Sequence, residues 1–588
     1  MITIFGAGIA ALTAALELVN KGYKVQIYEK DSLPGGMAKS KRINGIPSEH
    51  SWRGYASFYY NIFDLLKQIN ITENFGNLIT VEEVAKHNNK DDAWIIYKGY
   101  VYDITYFVKQ HPGGPLINFA LGKDVELAWN KYYVGWHAKN KKVIEILTKN
   151  KIGKLVESFD NNKSAFDNLV RLKRLKNIYN TKPKFNLANV LDYPKIFYNY
   201  LKFLFGNKRN EIDYNKSLLD TYNTNTLQKY NFDQIILKFS GPGLGFDYTN
   251  ASLGLMYFYF DCYFNDILNN KLVNNWYVMN KPTSEAFIDP LVKLLESKGV
   301  KIYYNSELQQ INHSDNKIVS CIVNNQIIKS DEYIIAINPN NLESIFTKSN
   351  MKRLAELHYN LQITNNQISF RIGFNKKLSK MDKIGYVLID SPNNITFYQQ
   401  DNFFNEKFKG IESLWSGICV MVHDTSMTKE KFMNNIIDQI FESKDLIKIF
   451  DIDRSNIIYT EIYDEWEYKN NKLESKNKKW VNTYYNEKYK PSQETEYNNL
   501  YLAGGHTKTS FKIWSMESAC ESGKIVANKI LQKNNKDLSK IHIHQKPLIS
   551  RILNPIDDLL YKNKLNSIID FIIFIIVLLS FIRYSNYN

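Results

Sequence analysis

Met1-Ile2-Thr3-Ile4-Phe5-Gly6-Ala7-Gly8-Ile9-Ala10-Ala11 opens the chain, and its reading decides the fold. The first five residues are apolar and rich in β-branched side chains, which reads as a strand. It ends abruptly in Gly6-Ala7-Gly8, and residues 12–19 read as a helix. Glycines at such a turn let backbone N–H groups approach a pyrophosphate, and the helix N-terminus behind them adds the positive end of its dipole, so the turn is built for a dinucleotide. A second strand, Lys24-Val25-Gln26-Ile27-Tyr28, closes on Glu29. An acid at that distance takes a ribose 2′-hydroxyl and disfavours a 2′-phosphate.

Leu33-Pro34-Gly35-Gly36-Met37-Ala38-Lys39-Ser40 comes next. With it the stretch resembles the FAD-binding start of the amine oxidase and phytoene desaturase superfamily, in which a second glycine pair also faces the FAD phosphates. The resemblance implies FAD held by Gly6, Gly8, Ala11, Glu29, Gly35 and Gly36. An NAD Rossmann unit, the alternative, gives no account of the second glycine pair.

At 588 residues the chain exceeds a single core, and several domains are expected. Charged residues at 23% and hydrophobic ones at 44% describe a folded protein rather than a disordered one. The net charge of +15 is carried mostly by Lys, with no arginine-rich block or aromatic nucleic-acid signature beside it. That pattern points to anionic lipid and away from nucleic acid. Cys262, Cys321, Cys419 and Cys520 are scattered without C-x-x-C spacing, which suggests a reducing compartment and no structural zinc. With a strand starting at the second residue, no signal peptide is expected.

Glu49-His50-Ser51-Trp52-Arg53-Gly54-Tyr55 and the aromatic run after it have two readings. In desaturase-like proteins such a segment runs from the flavin toward the substrate, which makes His50 and Arg53 candidates for contacts near the isoalloxazine. The other reading is an aromatic helix in the core with Arg53 paired at its rim.

At Thr80 the pattern changes. Thr80-Val81-Glu82-Glu83-Val84-Ala85-Lys86-His87, Asp92-Ala93-Trp94, Val101-Tyr102-Asp103-Ile104-Thr105 and His111-Pro112-Gly113-Gly114, closed by Ile152-Gly153-Lys154-Leu155, resemble a cytochrome b5 domain over its whole length. A b-type haem needs two axial imidazoles on opposite sides of the iron. By the resemblance His111 and His137 supply them, while His87 is a structural histidine. Bis-histidine ligation leaves no open iron position, so this domain is expected to carry single electrons rather than activate oxygen. No Gly/Ser-rich or Pro-rich linker flanks it, so it reads as an insertion tied at both ends.

Residues 161–264 read as helical and aromatic, with helices at 167–178, 188–204, 212–222, 225–237 and 252–264 around a breaker at Ser240-Gly241-Pro242-Gly243. Such an insertion resembles a substrate-domain cap. Met256-Tyr257-Phe258-Tyr259-Phe260 lines a hydrophobic pocket in one reading and is plain core in the other. A helix at 286–298, a strand at 299–304 and a hairpin around Asn324-Asn325 resemble the return of the flavoprotein chain to its Rossmann sheet, which puts Leu308 at the adenine. Alternating apolar residues over 367–389, 395–400 and 414–422 suggest the mixed sheet flooring a substrate cavity. No nucleophile–base dyad is evident, so no catalytic residue is assigned beyond the flavin.

Leu500-Tyr501-Leu502-Ala503-Gly504-Gly505-His506 and Trp514-Ser515-Met516-Glu517-Ser518-Ala519 resemble the second FAD signature of the superfamily, implying roles for Gly504 and Glu517. Two positions depart from it, Gly505, where an acid usually binds the ribityl chain, and Ser518, the small residue before the last Ala; Ser515 stands where amine oxidases often carry a cage tyrosine. Cys520 falls inside the closing helix, so the FAD is expected to be non-covalent.

The tail ends in an apolar run, 568–582, flanked by Lys562, Lys564 and Arg583. Spanning the hydrocarbon takes about 20 residues, so the run is short. It reads either as a C-terminal anchor that leaves the bulk of the chain on the cytosolic side of a membrane, or as an amphipathic or oligomerising helix.

The expected architecture is an α/β FAD-binding Rossmann-type fold with an α+β substrate domain, an inserted cytochrome b5-like α+β domain and a C-terminal hydrophobic helix. Its segments run 1–79, 285–340 and 496–533 for FAD, 80–157 for haem b, 158–284 for the cap, 341–495 for the substrate sheet and 534–588 for the tail. Three functions stand open. The first is an FAD-dependent oxidoreductase of the desaturase or isomerase kind, acting on a hydrophobic lipid-like molecule and exchanging electrons with the haem and an electron-transfer partner. The second is a flavin amine oxidase with an accessory haem. The third is an electron-transfer module without turnover of its own.

Overall fold

A computed structural model describes residues 1–50, 53–69, 78–131, 134–156, 164–181, 184–237, 248–268, 276–361, 363–364, 367–378, 383–404, 406–480 and 482–585. Ser51, Trp52 and the breaker Ser240-Gly241-Pro242-Gly243 lie outside the described residues. The chain divides into two compact units, Met1–Ile69 with Ala165–Asn588, and Asn70–Ser164.

In the larger unit Ile2–Phe5 is the central strand of a five-stranded parallel sheet. It pairs with Val25–Tyr28 on one side and Glu332–Ile335 on the other, and Lys301–Tyr303 and Leu500–Leu502 complete the sheet. A strand paired and covered on both sides buries every side chain, which is why Ile2–Phe5 does not alternate in burial and its one polar member, Thr3, accepts from the Gln26 side chain at 2.9 Å. The strand order reverses beside it, and such a switch point opens a crevice at the carboxyl ends of the strands. The helices Ile9–Asn20 and Met516–Lys533 pack together so closely that a Cβ on Gly523 would lie 2.4 Å from the Ala10 carbonyl oxygen.

The expected helix at 167–178 is not one. A short 3₁₀ turn, Ala165–Asn168, leads into strand Leu169–Leu172, which pairs with Trp276–Met279, and Arg174–Ile178, which pairs with Ile384–Leu388. The stretch from 212 to 222 is likewise two helices, Asn207–Tyr214 and Leu218–Tyr222. The helix Leu253–Leu268 is core: Tyr257 rests against Phe203 at 5.2 Å between ring centroids, Phe258 against Phe511 at 5.6 Å and Tyr259 against Phe58 at 5.8 Å.

The substrate-domain sheet has six strands, in the order Arg174–Ile178, Ile384–Leu388, Ile395–Gln399, Ser413–Cys419, Ile368–Phe374 and Ile457–Ile462. One face carries Phe370, Ile372, Phe397 and Trp415 into a core shared with helix Lys429–Glu442. Period-2 alternation puts the intervening residues on the other face.

The smaller unit is a five-stranded sheet, Leu78–Thr80, Lys151–Val156, Tyr100–Asp103, Asp92–Tyr97 and Asn88–Asn89, with short helices over a core of Ile95, Tyr97, Ile104 and Leu121.

The tail folds into two helices. Leu548–Lys562, with Pro555 inside it, was not expected from the sequence, although Leu548, Ile552, Ile556 and Leu559 repeat at helical spacing. Ile568–Ser585 follows it. Asp570 of this last helix accepts from Tyr198 at 2.5 Å and pairs with Lys202 at 3.4 Å, both on the helix Asp192–Phe205. Its residues 573–584 are mostly exposed, Phe574 to 63% and Leu579 to 59%. Among the described residues no helix is long and apolar enough to cross a membrane. The expectation of a spanning segment has no support in the structure, because charged Asp570 and Arg583 bound too short an apolar run.

Candidate cofactor sites

One cavity lies at the carboxyl end of the central strand, and Gly6, Gly8, Glu29, Gly35, Gly36, Leu308 and Gly504 all line it. Gly6 has φ of +96°, and a Cβ there would sit 2.5 Å from the Ala336 carbonyl oxygen, so the turn closes only with glycine. Gly8 caps the N-terminus of Ile9–Asn20, and a Cβ on it would meet no protein atom within 4 Å. The second glycine pair abuts the first: Gly35 N–H donates to the Ala7 carbonyl at 2.8 Å, and a Cβ on Gly36 would come within 3.2 Å of Gly8 Cα. Met516, first residue of the closing helix, also lines the cavity. Two helix N-termini therefore meet over bare backbone, an arrangement suited to a pyrophosphate and a flavin.

Glu29 is buried at the end of its strand and accepts from Ala7 N–H at 2.6 Å and Asp31 N–H at 2.9 Å. Burial raises its pKa, and those two N–H groups pull the other way. Each oxygen keeps a lone pair for a ribose hydroxyl. Lys39, which stood unremarked in the glycine segment, lines the cavity and is held by Asp31 at 2.7 Å and Glu465 at 2.8 Å.

Two expected contacts go elsewhere. Ala11 is wholly buried in its helix and stands outside the cavity lining. Glu517 turns away from the cavity to cap the helix Tyr60–Gln68, accepting from Asn61 N–H and Ile62 N–H, each at 2.9 Å, and from the Asn61 side chain at 2.8 Å. Burial pushes its pKa up to about 7 against those hydrogen bonds. The cavity wall has instead Trp514, Arg53 and His506, whose ring burial holds down to a pKa of about 3 with His358 nearby. His50 is buried one layer back, edge-on to Tyr463 at 5.6 Å. Ser515 caps the closing helix, its hydroxyl accepting from Ser518 N–H at 3.3 Å. Cys520 is buried, its thiol pKa raised by burial, and all four cysteines are buried with none in a disulfide.

In the smaller unit His111 and His137 face each other, ring centroids 6.4 Å apart and planes 16° from parallel. Metal–nitrogen bonds of about 2 Å on either side of an iron, with roughly 1 Å more to each ring centre, add to the same spacing. The His137 Nδ1 lies 2.7 Å from the Val134 carbonyl and the His111 Nδ1 3.4 Å from that of Gly114, acceptors that put the proton on Nδ1 and leave Nε2 for a metal. Burial lowers the His111 pKa, which favours the neutral, ligating form. The Pro-Gly-Gly turn has a steric reason: a Cβ on Gly113 would lie 2.8 Å from His111 Cε1. Trp136 stacks on His137 at 4.0 Å, and His87 stacks on Trp94 at 3.5 Å with its Nδ1 2.6 Å from Asp92. These residues fit a b-type haem.

Residues 80–156 match the cytochrome b5-like heme/steroid binding domain, and residues 4–69 the NAD(P)-binding Rossmann-like domain. The chain is a flavoprotein with an inserted cytochrome b5-like domain. Its cofactors are FAD and haem. Over 104 residues the flavoprotein is 35% identical to L-lactate dehydrogenase (cytochrome) of Saccharomyces cerevisiae, a match spanning 17% of either chain. Its fold is similar to that of putrescine oxidase bound to putrescine, with a TM-score of 0.55 and 11% identity over 90% of this chain and 98% of that one. Cyclohexylamine oxidase from Brevibacterium oxydans IH-35A gives 0.52 and 10%, over 91% and 99%. At such identities the likeness is one of fold.

Proposed function

We propose that this flavoprotein oxidises a hydrophobic, lipid-like small molecule and exchanges the electrons with its own b5 haem, from which an electron-transfer protein takes them. The observation that carries the reading is that one chain holds both cofactor sites, with the haem unit inserted between Ile69 and Ala165 and tethered at both ends. Tethering of this kind corresponds to effective concentrations on the order of millimolar, enough for internal transfer even where docking is weak. Bound FAD supplies two-electron hydride chemistry and bound haem one-electron carriage. The chain's own part is to hold them: glycine backbone and two helix N-termini for the pyrophosphate, Glu29 for the ribose, and His111 and His137 for the iron.

The same reading puts the protein at a membrane with its bulk on the cytosolic side. Exposed apolar side chains on Leu548–Lys562 and Ile568–Ser585, flanked by Lys562, Lys564 and Arg583, suit a helix lying in the lipid interface rather than crossing it. Amine oxidation is the second reading, favoured by the fold. Ser515, in the cage position, is occupied with capping a helix and offers no aromatic ring.

Anaerobic stopped-flow mixing with fatty acids, sterols, polyenes and polyamines tests the activity. The expected result is flavin bleaching by a lipid-like compound followed by haem reduction at a rate independent of protein concentration. Bleaching by polyamines alone, or haem reduction that scales with protein concentration, overturns it. Flotation with anionic liposomes tests the membrane reading, and a chain ending at residue 566, which keeps only the first of the two helices, should float less than the full chain.

A further inference from the structure

The face of the six-stranded sheet turned away from its apolar core carries one row of side chains in register across four strands. Tyr398 pairs with Ser416, Ser416 with Arg371, and Arg371 with Glu461. A hydroxyphenyl, a hydroxyl, a guanidinium and a carboxylate thus lie side by side, and Tyr398, Ser416 and Arg371 are buried, Arg371 to 0% exposure.

Arg371 is under-used. Its Nη2 donates to the Glu49 carbonyl at 3.2 Å, whereas its Nε and Nη1 have no hydrogen-bond partner among the described residues. No described carboxylate forms an ion pair with it. Glu461, its cross-strand neighbour, has its two oxygens engaged by the Ser48 hydroxyl and by Tyr459 OH at 3.1 Å. Its neutral neighbour is under-used too: Ser416 Oγ, directly across from Arg371 on the next strand, is buried and has no hydrogen-bond partner among the described residues. Buried cations are stable when paired, and buried polar atoms when hydrogen-bonded, so a cluster of both in one place calls for a ligand that satisfies them together.

The row stands next to the redox site. Arg53 lines the FAD cavity, and Tyr463 lies within electrostatic reach of both Arg53 and Arg371. Glu49 and Ser48, which touch Arg371 and Glu461, belong to the strand Ile46–Glu49 that leads into Arg53.

Resting on the reading above of a lipid-like substrate at the flavin, we infer that Arg371, with Ser416 and Tyr398 beside it in the row, binds a carboxylate on that substrate. The substrate is then an amphipathic acid, with an apolar body toward the flavin and its anionic head against the sheet. A guanidinium offers paired N–H donors to a carboxylate along its Nε/Nη2 edge or its Nη1/Nη2 end, and with one Nη2 N–H spent on the Glu49 carbonyl one such pair stays open, which only an anion uses fully. An ammonium head would meet like charge at the same place, which sets this site against amine substrates.

The test is a flavin-absorbance titration of the oxidised holoprotein with decanoate, acetate, decanol and decylamine. Decanoate should bind saturably, with acetate, decanol and decylamine each at least ~30-fold weaker. Arg371→Gln should weaken decanoate by ~30-fold or more while leaving decanol unchanged, and Arg371→Lys should fall between. Acetate binding as tightly as decanoate, and lost in Arg371→Gln, keeps the anion site and removes the lipid-like body from the reading beneath it. Decylamine binding as well as decanoate, or Arg371→Gln binding decanoate like the parent, overturns the proposal. Melting of Arg371→Met adds a readout that a structural arginine would move the other way: without ligand the variant should melt at or above the parent temperature, and decanoate should no longer raise it. A lower melting temperature without ligand makes Arg371 a structural residue and overturns the proposal as well.

Discussion

At Gly8 the protein offers open space and backbone N–H groups, and at His111 and His137 it offers two imidazole rings 6.4 Å apart. The dinucleotide cradle is defined by side chains that are missing, the haem pocket by side chains that are present. The first should therefore break when atoms are added and the second when atoms are removed. Within the cradle the glycines divide again. Gly6 is needed by the fold, because its φ is positive and Ala336 lies against it, whereas a Cβ on Gly8 touches only space that the cofactor would fill.

Removing a ring should have the largest effect. His111→Ala is expected to abolish the low-spin haem spectrum and leave flavin absorbance intact, and a normal Soret band in the purified variant would refute the axial assignment. Adding a methyl comes second and separates the two glycines. Gly8→Ala should fold with an unchanged melting temperature of the apoprotein but hold FAD roughly 100-fold more weakly, about 2.7 kcal/mol. Gly6→Ala should cost the fold itself about 3 kcal/mol through left-handed strain and overlap. Equal flavin retention in Gly8→Ala and the parent would remove Gly8 from the cradle.

Glu517 marks the edge of the comparison, since it sits beside the flavin signature yet caps a helix. With its folded pKa near 7 against an ordinary 4.5, the folded chain keeps a proton between those values that the unfolded chain has released. Its contribution to stability therefore falls as pH rises through that window, by about 3 kcal/mol in all, and is constant above it. The stability of Glu517→Gln relative to the parent should accordingly improve from pH 5 to pH 8, read as the difference in melting temperature; a difference independent of pH would contradict the buried-carboxyl account. The smallest effect should come from ending the chain at residue 566. Both cofactor spectra should persist and melting should shift by no more than about 2 °C, because most side chains of Ile568–Ser585 face solvent and the contacts of Asp570 are partly exposed.

The two cofactor sites were largely legible in the sequence because each rests on residues whose geometry admits few substitutes: glycines at a positive φ or at a close approach, and a histidine backed by Pro-Gly-Gly. The strands Leu169–Leu172 and Arg174–Ile178 were not legible. Their partners, Trp276–Met279 and Ile384–Leu388, lie far along the chain, and local pattern carries no trace of such pairing. Glu517 was misread because neighbours in sequence on a helix face different ways: Met516 looks into the cavity and Glu517 toward Asn61. Arg371 was invisible for a related reason. In the sequence it is one charged residue in an apolar strand, and only the register across four strands gives it neighbours.

The join between host and insert closes on itself. Ala165 N–H donates to the Ile69 carbonyl at 2.8 Å, so the chain leaves for the haem unit and returns at a single hydrogen-bonded point, with Phe166 packed edge-on against Phe63 at 5.4 Å. For the history of the protein this means that a haem module can be spliced in, or lost, in one recombination event without re-routing the flavoprotein around it. Two cofactor-binding units joined this way need no affinity for one another to stay together; shared translation gives them a fixed one-to-one ratio.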